Sequence, residues 1–322
     1  DIAISGTGFL RLLDSTGQIV YSRNGQLRIS EEGYLVNAHN ARLTGFPALR
    51  DEFGEYLLDA NGNQLPINGG APVPIQIPSE AMKARSTTRM TIELNLDNRE
   101  PALDDTKFDK TKPETYTYAN NIAVYDSQGT QHNVTVYFVK TDNNQWEVFM
   151  AREGEPATVS AHWVGTLVFT ADGVLQKETN PPSLNLSPDD QGIFEGPTFD
   201  LPNGAASIVI EEVSFVGSSQ FARDFTVNAM GQDGYAAGTL VDVSIDKNGN
   251  VIGTYSNEKT RIFGSLALAN FRSPEGLRSI GDNAWVETSE SGVALLGKAG
   301  TGLLGSVESG LVEASNVDLT RE

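Results

Sequence analysis

The chain has 322 residues and carries 42 acidic against 23 basic side chains, a formal charge of −19 at pH 7. Nucleic acid is therefore an unexpected partner, because phosphate binding depends on Lys and Arg displacing counterions. There is no cysteine, which excludes disulfides and thiolate chemistry, and there is neither a polybasic run nor an apolar stretch of the roughly 18 residues that cross a bilayer, so no membrane contact is expected.

Short alternating segments separated by glycine turns recur along the chain. Apolar residues at 92, 94 and 96 alternate with polar ones, which predicts a strand with one buried face. Val241, Val243 and Ile245 do the same, and the turn 247–250 returns the chain over 251–255 as a hairpin. Further predicted strands are Val134 to Lys140, Trp146 to Met150, Val164 to Phe169 and Ser207 to Val213.

No amphipathic helical period extends beyond about two turns, so the predicted fold class is all-β. Two stretches are typical of domain junctions. Leu65 to Pro78 combines four prolines with two glycines, and Met230 to Gly238 contains three glycines. If the junctions adjoin, the residues between them form a domain inserted into a loop of another; the alternative is three domains in a row.

Isolated residues with metal or acid–base chemistry favour structural interpretations. His39, His132 and His162 show no ligand spacing and are expected at the surface or core edge. Asp59 to Asn63 and Asp246 to Asn250 resemble the start of a calcium loop, but both lack its later glycine and glutamate. Both are interpreted as hairpin turns, so the sequence predicts no catalytic, cofactor-binding or metal site and no cofactor.

Two other patterns are weighed in the same way. Gly300 to Gly305 matches the dinucleotide fingerprint by letter, but no strand–helix context accompanies it, so a flexible glycine loop is predicted. The sequence leaves open a pair of carboxylates with acid–base function. Trp146, Trp163 and Trp285 each lie among apolar neighbours, which favours core packing over a sugar-binding platform.

Several segments resemble the bacterial flagellar rod and hook protein family. Near the front these are Ile4 to Leu12, Tyr21 to Gly25 and Gly33 to Asn37. Segments that resemble hook proteins in particular are Gly253 to Leu277, Ser291 to Gly302, Val312 to Glu322 and Ala123 to Thr141.

The resemblance implies a domain arrangement. Hook subunits have a discontinuous inner β domain built from both chain ends, with an outer β-barrel or sandwich domain inserted. For this chain it implies an inner domain of residues 1–76 plus 239–322 and an outer domain of residues 77–238. It also implies helical segments before Asp1 and after Glu322, for which the opening of a helix at Asn316 to Glu322 is a sign.

The resemblance also implies a function without catalysis. Hook subunits polymerise into a curved, flexible tube that acts as a universal joint between motor and filament. The implied partners are other copies of the chain, the hook cap, the distal rod and the hook–filament junction proteins. The implied location is the extracellular hook, reached through the flagellar type III secretion system without a cleaved signal peptide. The 322 residues alone are expected to be monomeric, because the polymerising helices would lie outside them.

Three alternatives remain at this point. A distal rod protein shares the end motifs, although about 160 intervening residues favour the hook. A secreted β-rich adhesin or carbohydrate-binding protein requires an exposed aromatic strip or a calcium site. An enzyme requires a deep cleft with two carboxylates at a working distance.

Overall fold

The computed structural model describes residues 1–50, 56–57, 64–65, 70–156, 158–176 and 192–311. The chain divides into two compact units, which we call the end unit (Asp1–Met82 with Gly238–Glu322) and the middle unit (Lys83–Ala237). Both consist of β-strands with three short 3-10 turns, so the predicted all-β class is confirmed. Among the described residues, no helix has the length and apolar character needed to span a membrane.

In the end unit, strands from the front and the back of the chain belong to the same structure. The front strands are β1 (Ile2–Ser5), β2 (Phe9–Leu13), β3 (Ile19–Ser22), β4 (Arg28–Ile29), β5 (Leu35–Val36), β6 (Arg42–Pro47) and β7 (Val73–Pro74). The back strands are β20 (Leu240–Ile245), β21 (Asn250–Tyr255), β22 (Thr260–Asn270), β23 (Arg278–Gly281), β24 (Ala284–Val286), β25 (Leu295–Lys298) and β26 (Ser306–Ser309), with a 3-10 turn at Pro274–Gly276.

These strands form one large sheet with the order β20-β21-β22-β6-β2-β3-β24-β23 and a two-stranded sheet of β1 and β26. Strand β22 connects the two halves of the chain, since it pairs with β6 and with β2, where Phe9 faces Ala269. Residues 263–269 of β22 are all buried, which fits their nearly unbroken apolar sequence. The two chain ends therefore share one sheet, and buried residues of both ends pack together, Tyr21 with Ala269 and Phe46 with Ala267.

The turn before β2 is held by an arginine. The guanidinium of Arg23 donates to the carbonyls of Ile4, Gly6 and Gly8 at 3.0–3.2 Å. The amide of Ile2 donates to the carbonyl of Gly25, and a Cβ at Gly25 would lie 1.9 Å from the Ile2 carbonyl oxygen. Only glycine permits that approach.

The middle unit contains the other twelve strands. They are β8 (Arg89–Asp97), β9 (Tyr118–Tyr125), β10 (Gln131–Asp142), β11 (Gln145–Arg152), β12 (His162–Phe169), β13 (Leu175–Gln176), β14 (Ile193–Phe194), β15 (Thr198–Phe199), β16 (Ile208–Val209), β17 (Glu212–Ser214), β18 (Ser219–Phe221) and β19 (Thr226–Gln232). Two 3-10 turns, Asp105–Lys107 and Pro113–Thr115, lie in the loop between β8 and β9.

Two sheets face each other in this unit. One is the antiparallel sheet β13-β12-β11-β10-β9, and the other is built around β8, which pairs with β17, β18 and β19. Their inner faces form one core of 22 buried residues that includes Ile92, Leu94 and Leu96 as predicted. Trp146 lies in this core, and its indole Nε1 donates to Gln220 Oε1 at 2.6 Å.

Most of the predicted strands are confirmed, and two of them differ in detail. The segment Ser207 to Val213 is split into β16 and β17, because the amide of Ile210 donates to Pro197 and that of Glu211 to Thr88. The hairpin β20–β21 forms, but Val241 is 68% exposed rather than on a buried face.

The two units divide at residues 82–83 and 237–238, which lie just after the first predicted junction stretch and at the end of the second. At Leu65 to Pro78, the described part is not a free connector, since Val73–Pro74 pairs with β6 and Ile75 and Ile77 are buried. Beyond it, Met82 bridges Gly238 and Arg85 bridges Tyr235. The predicted helix opening at 316–322 and the turn at Asp59 to Asn63 lie outside the described residues.

Candidate functional surfaces

The three histidines occupy three different environments. His132 Nε2 lies 2.9 Å from the buried Asp126 carboxylate. His39 is exposed and lies 3.6 Å from Asp282. The His162 ring makes an edge contact with Phe199, with centroids 5.3 Å apart. In the part of the chain that the structure describes, no group of three or more His, Asp or Glu residues is arranged to hold a metal ion.

The calcium-like segment at Asp246 to Asn250 is the hairpin turn that was predicted. Asp246 Oδ1 accepts hydrogen bonds from the amides of Asn248 and Asn250 at 2.9 Å, and Oδ2 accepts from the Asn250 side chain. The carboxylate therefore organises its own turn between β20 and β21.

The glycine-rich segment at Gly300 to Gly305 connects two strands, β25 and β26, and so lacks the helix that a dinucleotide site needs. It is held to the front of the chain, since the amide of Gly305 donates to the carbonyl of Thr7 at 2.7 Å and the Thr7 hydroxyl donates to Leu303. A Cβ at Gly305 would lie 2.3 Å from the Ser5 carbonyl oxygen. This segment therefore links the front and the back of the chain within the end unit.

The tryptophan prediction is right for one residue and wrong for another. Trp146 is fully buried, and Trp285 is half-buried with its ring centroid 6.1 Å from Phe9. Trp163, however, is 46% exposed. Its apolar neighbours in sequence do not bury it, because they point to the opposite face of β12.

Trp163 donates a hydrogen bond to a buried carboxylate. Glu147 on β11 is only 8% exposed, and its Oε2 accepts a hydrogen bond from Trp163 Nε1 at 2.5 Å. Its other oxygen, Oε1, accepts from the Thr166 hydroxyl at 2.9 Å. Trp163 is therefore hydrogen-bonded through its indole nitrogen while nearly half of its surface stays exposed.

An aromatic cluster covers the neighbouring part of the same sheet face. The ring of Phe108, from the loop between β8 and β9, stacks on Phe149 at 4.3 Å between centroids. Tyr116 from the same loop packs against Tyr137 at 5.0 Å. Phe149 also pairs with Trp163 across the strands. The loop thus covers part of β10 and β11.

A groove of about 690 Å³ in the end unit is lined by three carboxylates, those of Glu31, Glu32 and Glu80. Of these, Glu32 forms an ion pair with Arg42 at 2.6 Å. A general acid needs a raised pKa. In the described part of the chain, the carboxyls with a displaced pKa are all displaced downward by hydrogen bonds that outweigh burial: Asp14, Asp97, Asp104, Asp109 and Asp126.

Two buried charged side chains, those of Lys140 and Glu147, were not predicted from the sequence. Lys140 Nζ donates to the carbonyl of Glu100 at 2.7 Å, and burial lowers its pKa. The alternation of Trp146, Val148 and Met150 places Glu147 on the other face of β11, so a signal for its position exists. No pattern in the sequence shows that this face is covered there.

Family models match most of the chain. The model described as "Flagellar hook protein FlgE/F/G D1 domain" matches residues 3–93, and "Flagellar basal body protein FlaE D2 domain" matches residues 93–235.

Curated relatives extend over the whole chain. The flagellar hook protein FlgE of Salmonella typhimurium is 39% identical over 325 residues, covering 100% of this chain and 74% of the relative. FlgE of Treponema pallidum is 31% identical, covering 99% of this chain and 73% of the relative. Among solved structures, Helicobacter pylori FlgE2 has a similar fold, with a TM-score of 0.65 at 14% identity over 97% of this chain and 98% of that one.

The family models, the full-length relatives and the all-β architecture agree on one assignment. The chain belongs to the flagellar hook protein FlgE family and is a structural subunit of the hook.

Proposed function

We propose that copies of this chain polymerise into a flexible, curved tube that transmits motor torque to the flagellar filament, as a universal joint. Such a joint requires subunits that keep their shape while the contacts between them change. The observation that carries the proposal is the extent of the two cores, with 22 buried residues in the middle unit alone and both chain ends paired in the end unit.

The surface charge supports exchangeable contacts. A formal charge of −19 makes copies repel one another unless specific surfaces meet. Contacts between polar, charged surfaces are hydrated and individually weak, so they can be exchanged at small cost in free energy. A large apolar interface would hold the subunits in one register.

The finer assignments are part of the proposal. The inner domain is residues 1–76 with 239–322, and the outer domain is residues 77–238. The further partners are the hook cap, the distal rod and the hook–filament junction proteins, and export uses the flagellar type III secretion system without a cleaved signal peptide. We also propose that the chain catalyses no reaction.

The test is genetic and structural. Cells lacking the protein are expected to be non-motile and to carry basal bodies without hooks, and the intact gene is expected to restore both. Electron microscopy of the restored hooks then shows whether the chain fits the polymer. Normal hooks on the deleted cells would refute the proposal.

A further inference from the structure

We propose that Asn203 is a site of spontaneous covalent modification, at which the asparagine converts to an aspartyl or isoaspartyl residue in the folded protein. The site lies in the middle unit, in the loop between β15 and β16. The modification is a change in the chain itself and does not depend on the proposed polymerisation. Its basis is a difference between the Asn-Gly pairs of the described residues.

The reaction needs only the chain and water. The backbone nitrogen of the residue after an asparagine attacks the side-chain carbon Cγ, so that an N–Cγ bond forms and the Cγ–Nδ2 bond breaks. The proton lost by the attacking nitrogen leaves with Nδ2 as ammonia, and water then opens the cyclic imide. Glycine is the most favourable following residue because it has no Cβ to obstruct the attack, and asparagine is among the thermolabile residues of proteins.

Three Asn-Gly pairs lie among the described residues, and two of them are held against attack. Gly25 is buried, and a Cβ there would meet a backbone oxygen at 1.9 Å, so the chain after Asn24 has no room to rearrange. Gly249 is also buried, and its amide donates to the Asp246 carbonyl at 2.9 Å. The nitrogen that would attack Asn248 is therefore engaged in the turn.

The pair at Asn203 is open to the reaction. Asn203 and Gly204 are both exposed, and no described residue beyond the chain neighbours has an atom within 4 Å of the Cβ position of Gly204. The Gly204 amide has no hydrogen-bond acceptor within the described residues. Asn203 Oδ1 accepts from the Ala205 amide at 3.1 Å. This turn closes a ring around the Gly204 nitrogen, so the nitrogen is held near Cγ and the carbonyl under attack is polarised.

The product affects a buried carboxylate. Asn203 Nδ2 donates to Asp126 Oδ2 at 2.8 Å, and the same oxygen lies 2.9 Å from His132 Nε2. An ionised carboxylate at position 203 has no hydrogen to donate and adds a second negative charge beside the buried Asp126. We therefore expect the modification to weaken the hold on the turn between β9 and β10, which the contact of Ser127 with Ala206 also joins to this loop.

Peptide mapping by mass spectrometry tests the selection of the site. The purified full-length protein is kept folded at mildly alkaline pH, and each Asn-Gly peptide is followed for the gain of about 1 Da and for the isoaspartyl form. We expect position 203 to convert at least about tenfold faster than positions 24 and 248, the internal controls, because only there is the glycine open to attack. In urea, where the fold no longer distinguishes the pairs, the three rates are expected to agree within about threefold.

Equal rates at the three positions of the folded protein, or a slower rate at position 203 than at either control, would overturn the inference. Neither result bears on hook formation, so this experiment and the test of the proposed function fail independently.

A pair of backgrounds tests the consequence for Asp126. Asn203→Asp imitates the aspartyl product, and we expect it to raise the equilibrium constant for unfolding at least about threefold, as contacting groups of like charge do. In the Asp126→Asn background the partner charge is gone, and the same substitution is expected to cause no increase. Urea titrations of the four proteins measure the effect. An equal increase in both backgrounds would show that the added charge does not act through Asp126.

Discussion

Asp126 illustrates how one buried carboxylate organises a turn. Its Oδ1 accepts from the amides of Gln128 and Thr130, and its Oδ2 accepts from Asn203 at 2.8 Å and lies 2.9 Å from His132. Burial alone would raise the pKa of Asp126, but these hydrogen bonds outweigh it and hold the pKa well below its usual range.

A depressed pKa makes stability depend on pH in a defined direction. Asp126 stabilises the fold above its unfolded pKa of about 3.9, and this contribution is lost as the pH falls through the lower folded value. We expect the free energy of unfolding to decrease on acidification below about pH 5. An Asp126→Asn variant is expected to be less stable at neutral pH and to show a shallower decrease.

Denaturant titrations at a series of pH values measure both slopes. The other aspartates with lowered pKa contribute to both proteins equally, so the difference between the slopes reports on Asp126. Parallel slopes would show that Asp126 has the same pKa in the folded and unfolded chain.

Arg23 offers a second prediction at this scale. Its removal leaves the carbonyls of Ile4, Gly6 and Gly8 without their charged donor. We expect Arg23→Ala to lower the free energy of unfolding by about 2–3 kcal/mol, with hydrogen bonds to charged groups as the cause. Arg278→Ala on the exposed strand β23 is the matched control, expected within about 0.5 kcal/mol of wild type. Equal effects of the two substitutions in urea unfolding would contradict the role of Arg23.

Single residues were the hardest feature to predict. Trp163 and Trp146 have similar neighbours in the sequence, yet one is exposed and the other is fully buried. Their difference depends on which face of each strand meets the opposite sheet, and the alternation pattern gives the faces but not what covers them. The turn at Asp246 was predictable because its hydrogen bonds are all local.

The edges of the large sheet in the end unit share one feature. Strand β20 has a register shift between Leu240 and Asp242, and strand β23 has one between Ser279 and Gly281. In each case the residue at the shift is an exposed β-branched one, Val241 at 68% and Ile280 at 46%. Bulges at open edges hinder pairing with strands of other molecules.

Removing one bulge tests this interpretation. Deletion of Ile280 is expected to give β23 a regular edge, and therefore to raise the rate of aggregation at high protein concentration severalfold. Ile280→Thr retains the extra residue and is expected to behave like wild type. Light scattering and thioflavin fluorescence follow the process, and an equally soluble deletion variant would argue against a protective role for the bulge.

At this scale four of the twelve strands in the middle unit, β8, β10, β11 and β12, were predicted, because their alternation is regular. The segment 207–213 was predicted as one strand and is two, since its amides change partners from Pro197 to Thr88. Thr88 lies more than 100 residues from Glu211 in the sequence, so this pairing leaves no local pattern. The short strands β4, β5 and β7 likewise depend on their neighbours in the sheet.

For the whole molecule, the domain prediction can be tested by cutting the chain. Residues 77–238 expressed alone are expected to unfold cooperatively, because they contain the complete 22-residue core. The complementary protein, 1–76 joined to 239–322 by a short glycine linker, is the matched partner. Circular dichroism and urea unfolding measure both, and a middle segment without a cooperative transition would contradict the prediction.

The division of the chain into domains could not be predicted from hydrophobic periodicity alone. Proline and glycine content indicated junctions but left the order of domains open, and only the family resemblance favoured an insertion. The pairing of Phe9 with Ala269 joins residues 260 positions apart, and no periodic pattern near either residue specifies that contact.

The same pairing has a consequence for the order in which the protein folds. Strand β2 pairs with β22, so the sheet of the end unit cannot be completed until most of the chain is available. The middle unit needs only its own residues, and its folding brings Arg85 and Tyr235 together. That event replaces a long open loop with a short effective one, which reduces the entropic cost of the final closure. On this argument, we expect folding of the middle unit to favour the assembly of the two halves of the end unit.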